Sequence, residues 1–407
     1  MLDKIYRPDA KIGHFLNAII LSGVAYGLYR GIQDNYLAEI IHVTPFERGI
    51  VEFFRELPGL LVVLTLALMY RFSDSRIFKI GTAFMTGGVT GLLFTSASPF
   101  FMTKFFVVLS MVLFSMGEHI IMPVKSTISM DLARQEKSGA SLGMSNATTQ
   151  LGQIAGFILV TILFFVLSRM GFSRLDILGF KIAFGLSVAL MVTSLLVILA
   201  MKETTLKSQR RRFYFTRKFH KYYMLEVFYG GRKQVFLTFA PYVLILHYGA
   251  DPAIMSLLYA VCAAFGIFAS PLIGKIIDRL GYKVVMVGDT LILIVVCLLY
   301  GFSHRIFPKN IAFIVVCTNF ILDSILSIAS MAAYVYVQRI ASNQEEITAT
   351  LSTGVSVNHF ISIFIALLGG WIWKQTGIEV LFSLSAFLAV LNSIYAASIK
   401  KSEEQNT

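Results

Sequence analysis

Charged side chains lie inside the long apolar segments of this sequence, where they could bind an ionic group or carry a proton. Arg30 and Asp34 are four residues apart in one segment, and Glu52, Arg55 and Glu56 are helical neighbours in the next. A charge in hydrocarbon is costly unless it faces a partner or a polar cavity. Two interpretations remain open: these groups bind a solute or protons, or the pairs only neutralise each other and hold helices together.

A glutamate and a histidine are adjacent in the fourth apolar segment, at Glu118 and His119. A histidine titrates near neutrality, and a glutamate whose charge is poorly solvated can hold a proton. The two are therefore candidates for a proton-handling pair. They do not indicate a metal site, because the His-Glu-x-x-His spacing is absent and the other histidines of apolar segments, His14 and His359, belong to different segments.

Further candidates lie in the second half of the chain. Arg232 and Lys233 are adjacent, so their side chains point about 100° apart on a helix. We expect one of them to bind a substrate anion or a carboxylate, such as that of Asp34, Glu52 or Glu56. The other is expected to pack against a neighbouring helix. The remaining candidates of this half are Glu226, Gln234 and Asp323.

The segments that must position these residues are helices in a membrane. Apolar residues make up 56% of the chain and charged residues 14%, and the mean hydropathy of +0.73 is outside the range of soluble domains. The apolar runs are continuous and about 20 residues or longer, enough to cross the hydrocarbon core as helices. The sequence predicts an all-α membrane protein with twelve transmembrane helices, near residues 13–40, 46–70, 79–98, 101–124, 139–168, 180–201, 222–248, 253–277, 282–303, 311–338, 349–374 and 379–399.

The twelve runs divide into two sets of six. We expect an N-terminal six-helix bundle over 1–201, a basic cytoplasmic linker over 202–221 and a C-terminal six-helix bundle over 222–407. With both termini cytoplasmic, most of the 35 Lys and Arg residues fall in inner loops and tails, as the positive-inside rule requires. The net charge of +12 then indicates contact with lipid headgroups rather than with nucleic acid. The expected location is the plasma (inner) membrane.

A ten-residue stretch between the eighth and ninth runs has a partial copy in the first half of the chain. Repetition at about half the chain length implies two halves built alike. An aspartate at a helix end can cap a neighbouring helix, and the basic residues can then bridge to acids on adjacent segments. The pattern is Gly-x-x-x-Asp-Arg-x-Gly-x-Lys, at Gly274, Asp278, Arg279, Gly281 and Lys283, and its copy keeps Asp74 and Lys79.

This pattern resembles the signature loop of the major facilitator superfamily, in which the loop latches the cytoplasmic side in one state of the transport cycle. A static turn that carries cytoplasmic positive charge is the alternative interpretation. The resemblance implies the fold of that superfamily, two six-helix halves over essentially the whole chain. It also places spans one and seven along a central cavity, and spans four and ten beside it. The candidates on spans one, seven and ten are Arg30, Asp34, Arg232, Lys233, Gln234 and Asp323.

The resemblance implies a secondary active transporter that works by alternating access. Cations inside the spans favour a small organic solute with an anionic group as cargo, and the acids can couple its movement to protons. We expect the partners to be this solute, protons and the lipid bilayer. The protein is expected to be a monomer driven by the proton gradient, with no cofactor and no enzymatic activity.

Two alternatives remain open. One is a proton-driven multidrug efflux antiporter, because Gly143, Gly152 and Gly156 resemble the opening of the glycine motif of drug exporters. The resemblance ends there, since Phe157 stands at the position of that motif's proline. The other alternative is a non-transporting relative of these transporters that acts as a receptor or an assembly subunit.

Overall fold

The computed structural model describes residues 2–96, 100–173, 176–202 and 215–399, and most of the predicted linker, 203–214, lies outside them. Within these ranges every regular element is a helix. The long helices are α1 (Ala10–Asn35), α2 (Pro45–Leu68), α3 (Asp74–Phe94), α4 (Phe101–Asp131), α5 (Ser138–Arg169), α6 (Ile177–Leu199), α7 (His220–Tyr248), α8 (Pro252–Leu280), α9 (Tyr282–Ile306), α10 (Lys309–Ile340), α11 (Gln344–Thr376) and α12 (Ile378–Ala397). A short helix, Leu2–Ile5, precedes α1, and a π-helical turn, Tyr36–Ile40, continues α1 at its C-terminal end. A 3-10 turn, Ile328–Ser330, interrupts α10.

Ten of the described helices are long and apolar enough to cross a membrane, as expected for the predicted all-α membrane fold. The other two long helices are α2 and α7, which carry charged clusters seen in the sequence. They contain 24 and 29 residues. At about 1.5 Å per residue they measure about 36 and 43 Å, longer than the hydrocarbon core. Their length fits a membrane crossing, and the count of twelve spans stays a prediction.

Most helix ends lie within a few residues of the predicted runs, because capping residues stand near the ends of the apolar segments. The side chains of Asp9, Ser73 and Asp176 each accept a hydrogen bond from a backbone N–H in the first turn of α1, α3 and α6. Three ends differ from expectation by five residues or more: α3 begins at Asp74 rather than near 79, α11 begins at Gln344 rather than near 349, and α4 extends to Asp131 rather than to 124. All three extensions include polar residues. A hydropathy search leaves such residues out of a span, but the helix can continue through them outside the hydrocarbon core.

The chain divides into two compact units. Unit 1 contains Met1–Val43, Leu57–Arg210 and Ala250–Ala263. Unit 2 contains Thr44–Glu56, Arg211–Gly249 and Ala264–Thr407. The division passes through α2 and α8, so the first turns of α2 belong to unit 2 and those of α8 to unit 1. The predicted domain boundaries at 201 and 222 stay a prediction.

Each unit repeats the same helix pairings. In unit 1, α1 packs on α5 and α6, and α3 packs on α4 and α6. In unit 2, α7 packs on α11 and α12, and α9 packs on α10 and α12. The first and third helices of each half thus make equivalent contacts with the fourth, fifth and sixth, as expected for a chain built from two similar halves.

Glycines bring α1 and α5 into close contact. A Cβ atom at Gly152 would lie 2.6 Å from the backbone oxygen of Ile20, and one at Gly156 would come still closer to the backbone oxygen of Val24. Nothing lies within 4 Å of a Cβ atom placed at Gly143. Two of the three glycines of the exporter-like pattern therefore serve helix packing, as small residues commonly do in membranes.

Candidate functional site

A group of charged side chains lies within unit 2, where α2, α7 and α11 meet. Four of its members come from α2 at positions i, i+4, i+7 and i+8, which share one face of a helix. One side chain from α7 and one from α11 complete the group. We call these six residues the α2 charge network: Arg48, Glu52, Arg55, Glu56, Gln234 and His359.

Glu52 accepts hydrogen bonds from three side chains of the α2 charge network and is only 1% exposed. Arg48 Nη1 donates to its Oε2 at 2.7 Å, and Arg55 Nη2 donates to its Oε1 at 2.5 Å. Gln234 Nε2 donates to the same Oε1 at 3.2 Å. The two guanidinium groups offset the cost of burying this carboxylate. Glu52 therefore ties α2 to α7 and anchors the network.

Glu56 has a different set of partners. The guanidinium of Arg55 contacts its Oε1, and Nδ1 of His359 lies 2.9 Å from its Oε2. Glu56 is 6% exposed, whereas the side chains of Arg55 and His359 are each 20% exposed. A carboxylate beside an imidazole can exchange a proton with it. The contact joins α2 to α11 and places an imidazole beside a buried carboxyl group.

Arg232 and Lys233 point in different directions, as expected for adjacent residues of a helix. Arg232 is 1% exposed and donates to Asp323 of α10 at 2.5 Å. The ammonium of Lys233 lies 5.9 Å from the ring centroid of Tyr229, and Lys233 forms no ion pair within the described part of the chain. One of the two therefore binds a carboxylate, but this acid belongs to α10 and not to α1 or α2.

Glu226 lies two turns before Arg232 on α7 and is 5% exposed. Its Oε2 accepts a hydrogen bond from Asn358 Nδ2 at 3.1 Å. Glu226 also faces a small cavity that Asp289 of α9 lines from another side. Glu226, a candidate predicted from the sequence, therefore does not belong to the α2 charge network and lines a separate cavity together with Asp289.

Arg30 and Asp34 form an ion pair within unit 1, with Nη1 and Oδ2 2.9 Å apart. The hydroxyl of Tyr259, on α8, donates to the same Oδ2 at 2.7 Å. The Arg30 guanidinium lies 5.1 Å from the centroid of the tyrosine ring. Tyr259 therefore holds both members of the pair, and the side chain of Arg30, at 17% exposed, is the more accessible of the two.

A cavity of about 160 Å³ lies within unit 1 between α1, α3, α4 and α5. Glu118 and Lys125, two turns apart on α4, line it together with Tyr26 and Gln153. Lys125 Nζ donates to Oγ1 of Thr149 at 3.1 Å. Glu118 forms no hydrogen bond or ion pair with the residues that the structure describes. The cavity thus offers a carboxylate and an ammonium group to a solute.

His119 is directed away from this cavity. Its Nδ1 lies 2.8 Å from the backbone oxygen of Ser115 and 3.2 Å from the hydroxyl of the same residue. Adjacent side chains diverge by about 100° around a helix, and no hydrogen bond joins His119 to Glu118 in the structure. The two neighbours in sequence therefore have separate environments.

The repeated loop pattern has a different setting in each half. Asp74 is buried in the first turn of α3. Asp278 is exposed in the last turn of α8, as is Arg279, and Asp278 and Gly274 line a cavity of about 380 Å³. Gly281, between α8 and α9, has a φ of 83°, which glycine adopts without strain. The helix thus ends later in the second copy, and only that copy needs a glycine at this position.

The two lysines of the pattern bind backbone oxygens. Lys79 Nζ donates to the carbonyl of Met201 at 2.8 Å, and Lys283 Nζ donates to the carbonyl of Ile399 at 2.6 Å. The sequence led us to expect that Lys283 would bridge to an acid. It binds a helix C-terminus instead, because the last carbonyls of a helix carry partial negative charge and lack partners within the helix.

Two partners in these sites were not among the candidates named from the sequence. Arg48 stands four residues before Glu52, so helical spacing could have identified it. Tyr259 is 225 residues from Asp34, and no local pattern links the two. The sequence provides equally little information on the contact of His359 with Glu56, which spans 303 residues.

Comparison with known proteins covers both halves of the chain. Residues 222–406 match the family model described as Major Facilitator Superfamily. The crystal structure of a D-xylose-proton symporter is similar over 98% of this chain and 100% of its own, with a TM-score of 0.76 and 14% identity. For the nucleoside transporter NupG these values are 96%, 100%, 0.73 and 13%. For a peptide transporter POT in complex with sulfate they are 99%, 98%, 0.73 and 13%. No curated protein matches this sequence.

Proposed function

We propose that this chain is a transporter of the major facilitator superfamily, whose family model matches residues 222–406. We propose further that it carries a small organic solute with an anionic group, by alternating access and coupled to protons. The match of residues 222–406 to the family model agrees with the resemblance seen in the loop pattern. The class of solute and the coupling to protons are the content of the proposal.

The contact between Glu56 and His359 carries the proposal. Both groups can hold a proton, and their atoms are 2.9 Å apart. The remaining oxygen of Glu56 contacts the guanidinium of Arg55, so a proton on Glu56 weakens an ion pair. Protonation of Glu56 therefore also weakens the hold on the Arg55 side chain, because the same carboxyl group contacts His359 and Arg55.

The charge balance of the α2 charge network explains how this link could couple protons to an anion. Two arginines and two glutamates cancel when His359 is neutral. One added proton leaves the network with a net positive charge, and Arg55 is its partly exposed guanidinium. An anionic solute would restore neutrality. Proton and anion would then each favour the binding of the other, as thermodynamic linkage requires.

Two measurements test this proposal: binding of organic anions to the purified protein, and their uptake into proteoliposomes. A ligand that binds the native state raises its melting temperature, so purified protein is first screened in detergent against organic acids. A stabilising acid is then supplied to proteoliposomes with and without an inward proton gradient. We expect the gradient to accelerate uptake by the unmodified protein, and Glu56→Gln to remove this acceleration. Glu47→Gln, on the same helix but outside the network, is the matched control. Equal rates of uptake by the unmodified protein with and without the proton gradient would contradict proton coupling.

The cavity of unit 1 favours a second candidate, a proton-driven exporter of amphiphilic cations. Glu118 stands there beside Met85 and Met122, and sulfur-bearing side chains adapt to varied apolar ligands. The same screen separates the two candidates. Stabilisation by organic acids that is lost in Arg55→Gln supports the anion carrier. Stabilisation by lipophilic cations that is lost in Glu118→Gln supports the exporter.

A further inference from the structure

A small cavity lies within unit 2, apart from the α2 charge network. It is lined by residues of α7, α9, α10 and α12 and has a volume of about 30 Å³. One water molecule requires about 10–15 Å³ of such volume, so the cavity has room for one ion or for about two to three waters. Its oxygen-bearing side chains are Glu226, Tyr229, Asp289, Ser330 and Asn392.

Two of these side chains have oxygens that are not used by the protein. Asp289 accepts one hydrogen bond through Oδ1, from the backbone N–H of Thr290 at 2.8 Å, and its Oδ2 has no partner among the described residues. Asn392 is 9% exposed and forms no hydrogen bond with any part of the chain that the structure describes. Asn392 lies in the cavity wall, so its amide is available to a group bound there.

The charges around the cavity leave an excess of one negative charge. Arg232 is paired with Asp323, which removes both from the balance. Lys233, on the same helix, can offset one more carboxylate. Glu226 and Asp289 both face the cavity, so one acid remains without compensation. A monovalent cation would neutralise it, whereas a divalent ion would reverse the sign of the excess.

The backbone of α10 is irregular at the same place. The 3-10 turn Ile328–Ser330 interrupts the helix, and Ala329 and Ser330 line the cavity. A short 3-10 stretch within a helix often marks a functional position, and carbonyls of interrupted membrane helices are typical ligands for sodium ions. Carboxylate, amide and carbonyl oxygens together form a donor set for a hard cation.

We propose that this cavity is a binding site for one sodium ion, held by Asp289, Glu226 and Asn392 with the interrupted backbone of α10. The interrupted backbone is the reason for choosing sodium over potassium, because carbonyls of interrupted membrane helices are typical sodium ligands. The site belongs to the inside of one unit and does not depend on which solute the protein carries.

Thermal unfolding of the purified full-length protein tests the proposal. The melting temperature is measured in choline chloride and after stepwise replacement of choline by Na⁺ or by K⁺ at constant ionic strength. We expect Na⁺ to raise it in a saturable way and K⁺ to have little effect. Asp289→Asn and Asn392→Ala should each raise the half-saturating Na⁺ concentration by about tenfold or more. Glu118→Gln is the matched control, because it removes a membrane acid from the cavity of unit 1 and should leave the Na⁺ response unchanged.

Several results would overturn the sodium site. Equal stabilisation by Na⁺ and K⁺ at the same ionic strength would show that the cavity does not select sodium. Stabilisation by acidic pH without a response to Na⁺ would show that a proton, not a metal ion, neutralises the cavity. A Na⁺ response that persists in both variants would place the ion elsewhere. If Asp289→Asn does not fold, Asn392→Ala decides the question, since it removes a ligand oxygen without changing the charge.

Discussion

Lys79 and Lys283 occupy equivalent positions in the two halves of the chain, and each donates a hydrogen bond to the backbone just beyond the sixth helix of its own half. The acceptors are the carbonyls of Met201, at 2.8 Å, and Ile399, at 2.6 Å. The lysine of the loop pattern therefore ties the beginning of a third helix to the end of a sixth. This contact persists in the first half although other residues of the pattern have changed there.

We predict that Lys283→Met lowers the stability of the protein by about 1.5–3 kcal/mol, since a hydrogen bond from a charged group is lost and a carbonyl is left without its donor. Thermal unfolding in detergent measures the effect. Lys275→Met is the control, because Lys275 is exposed in the last turns of α8 and forms no ion pair or hydrogen bond in the described ranges. Equal melting temperatures for the two variants would refute the anchoring role.

Glu52→Gln should destabilise the protein by about 3–5 kcal/mol, because it leaves Arg48 and Arg55 with one uncompensated buried charge. Glu56→Gln should cost less, since Arg55 keeps its bonds to Glu52. The two melting temperatures give the comparison directly. The double variant Glu52→Gln/Arg48→Met, which removes one charge of each sign, should recover part of the loss. No recovery in the double variant would argue against charge imbalance as the cause.

Asp34→Asn should abolish proton-coupled transport while the protein still folds, since the amide keeps the shape of the side chain but cannot be charged. Tyr259→Phe removes only the 2.7 Å hydrogen bond to Asp34 and should reduce transport less. Uptake by proteoliposomes is compared with the melting temperature of each variant. Near-normal transport by Asp34→Asn would remove this residue from the mechanism.

Gly156→Leu should prevent folding or lower the melting temperature strongly, because a side chain there would collide with the backbone of α1. Gly143→Leu has open space around its Cβ position and should be tolerated. Expression level and thermal unfolding of the pair measure the difference. If both variants were tolerated equally, close packing of α1 on α5 would not be important for stability.

The sequence by itself determined the helical membrane architecture, the approximate ends of its helices and the pairs within a helix, such as Arg30 with Asp34. These features are local: hydropathy acts over about 20 residues, and side chains three or four positions apart meet on any α-helix. The resemblance to a transporter family could be recognised for a similar reason, because the loop pattern that carries it is a short contiguous stretch.

Only the tertiary structure decided which polar and charged side chains of different helices contact each other. The contacts of His359 with Glu56, Tyr259 with Asp34 and Gln234 with Glu52 each join residues more than a hundred positions apart. Whether two such side chains meet depends on how far each helix is rotated about its axis and on how deeply it packs. Nearly every helix here is apolar over most of its surface, so the hydrophobic pattern leaves this rotation undetermined, and close packing of neighbouring helices sets it instead.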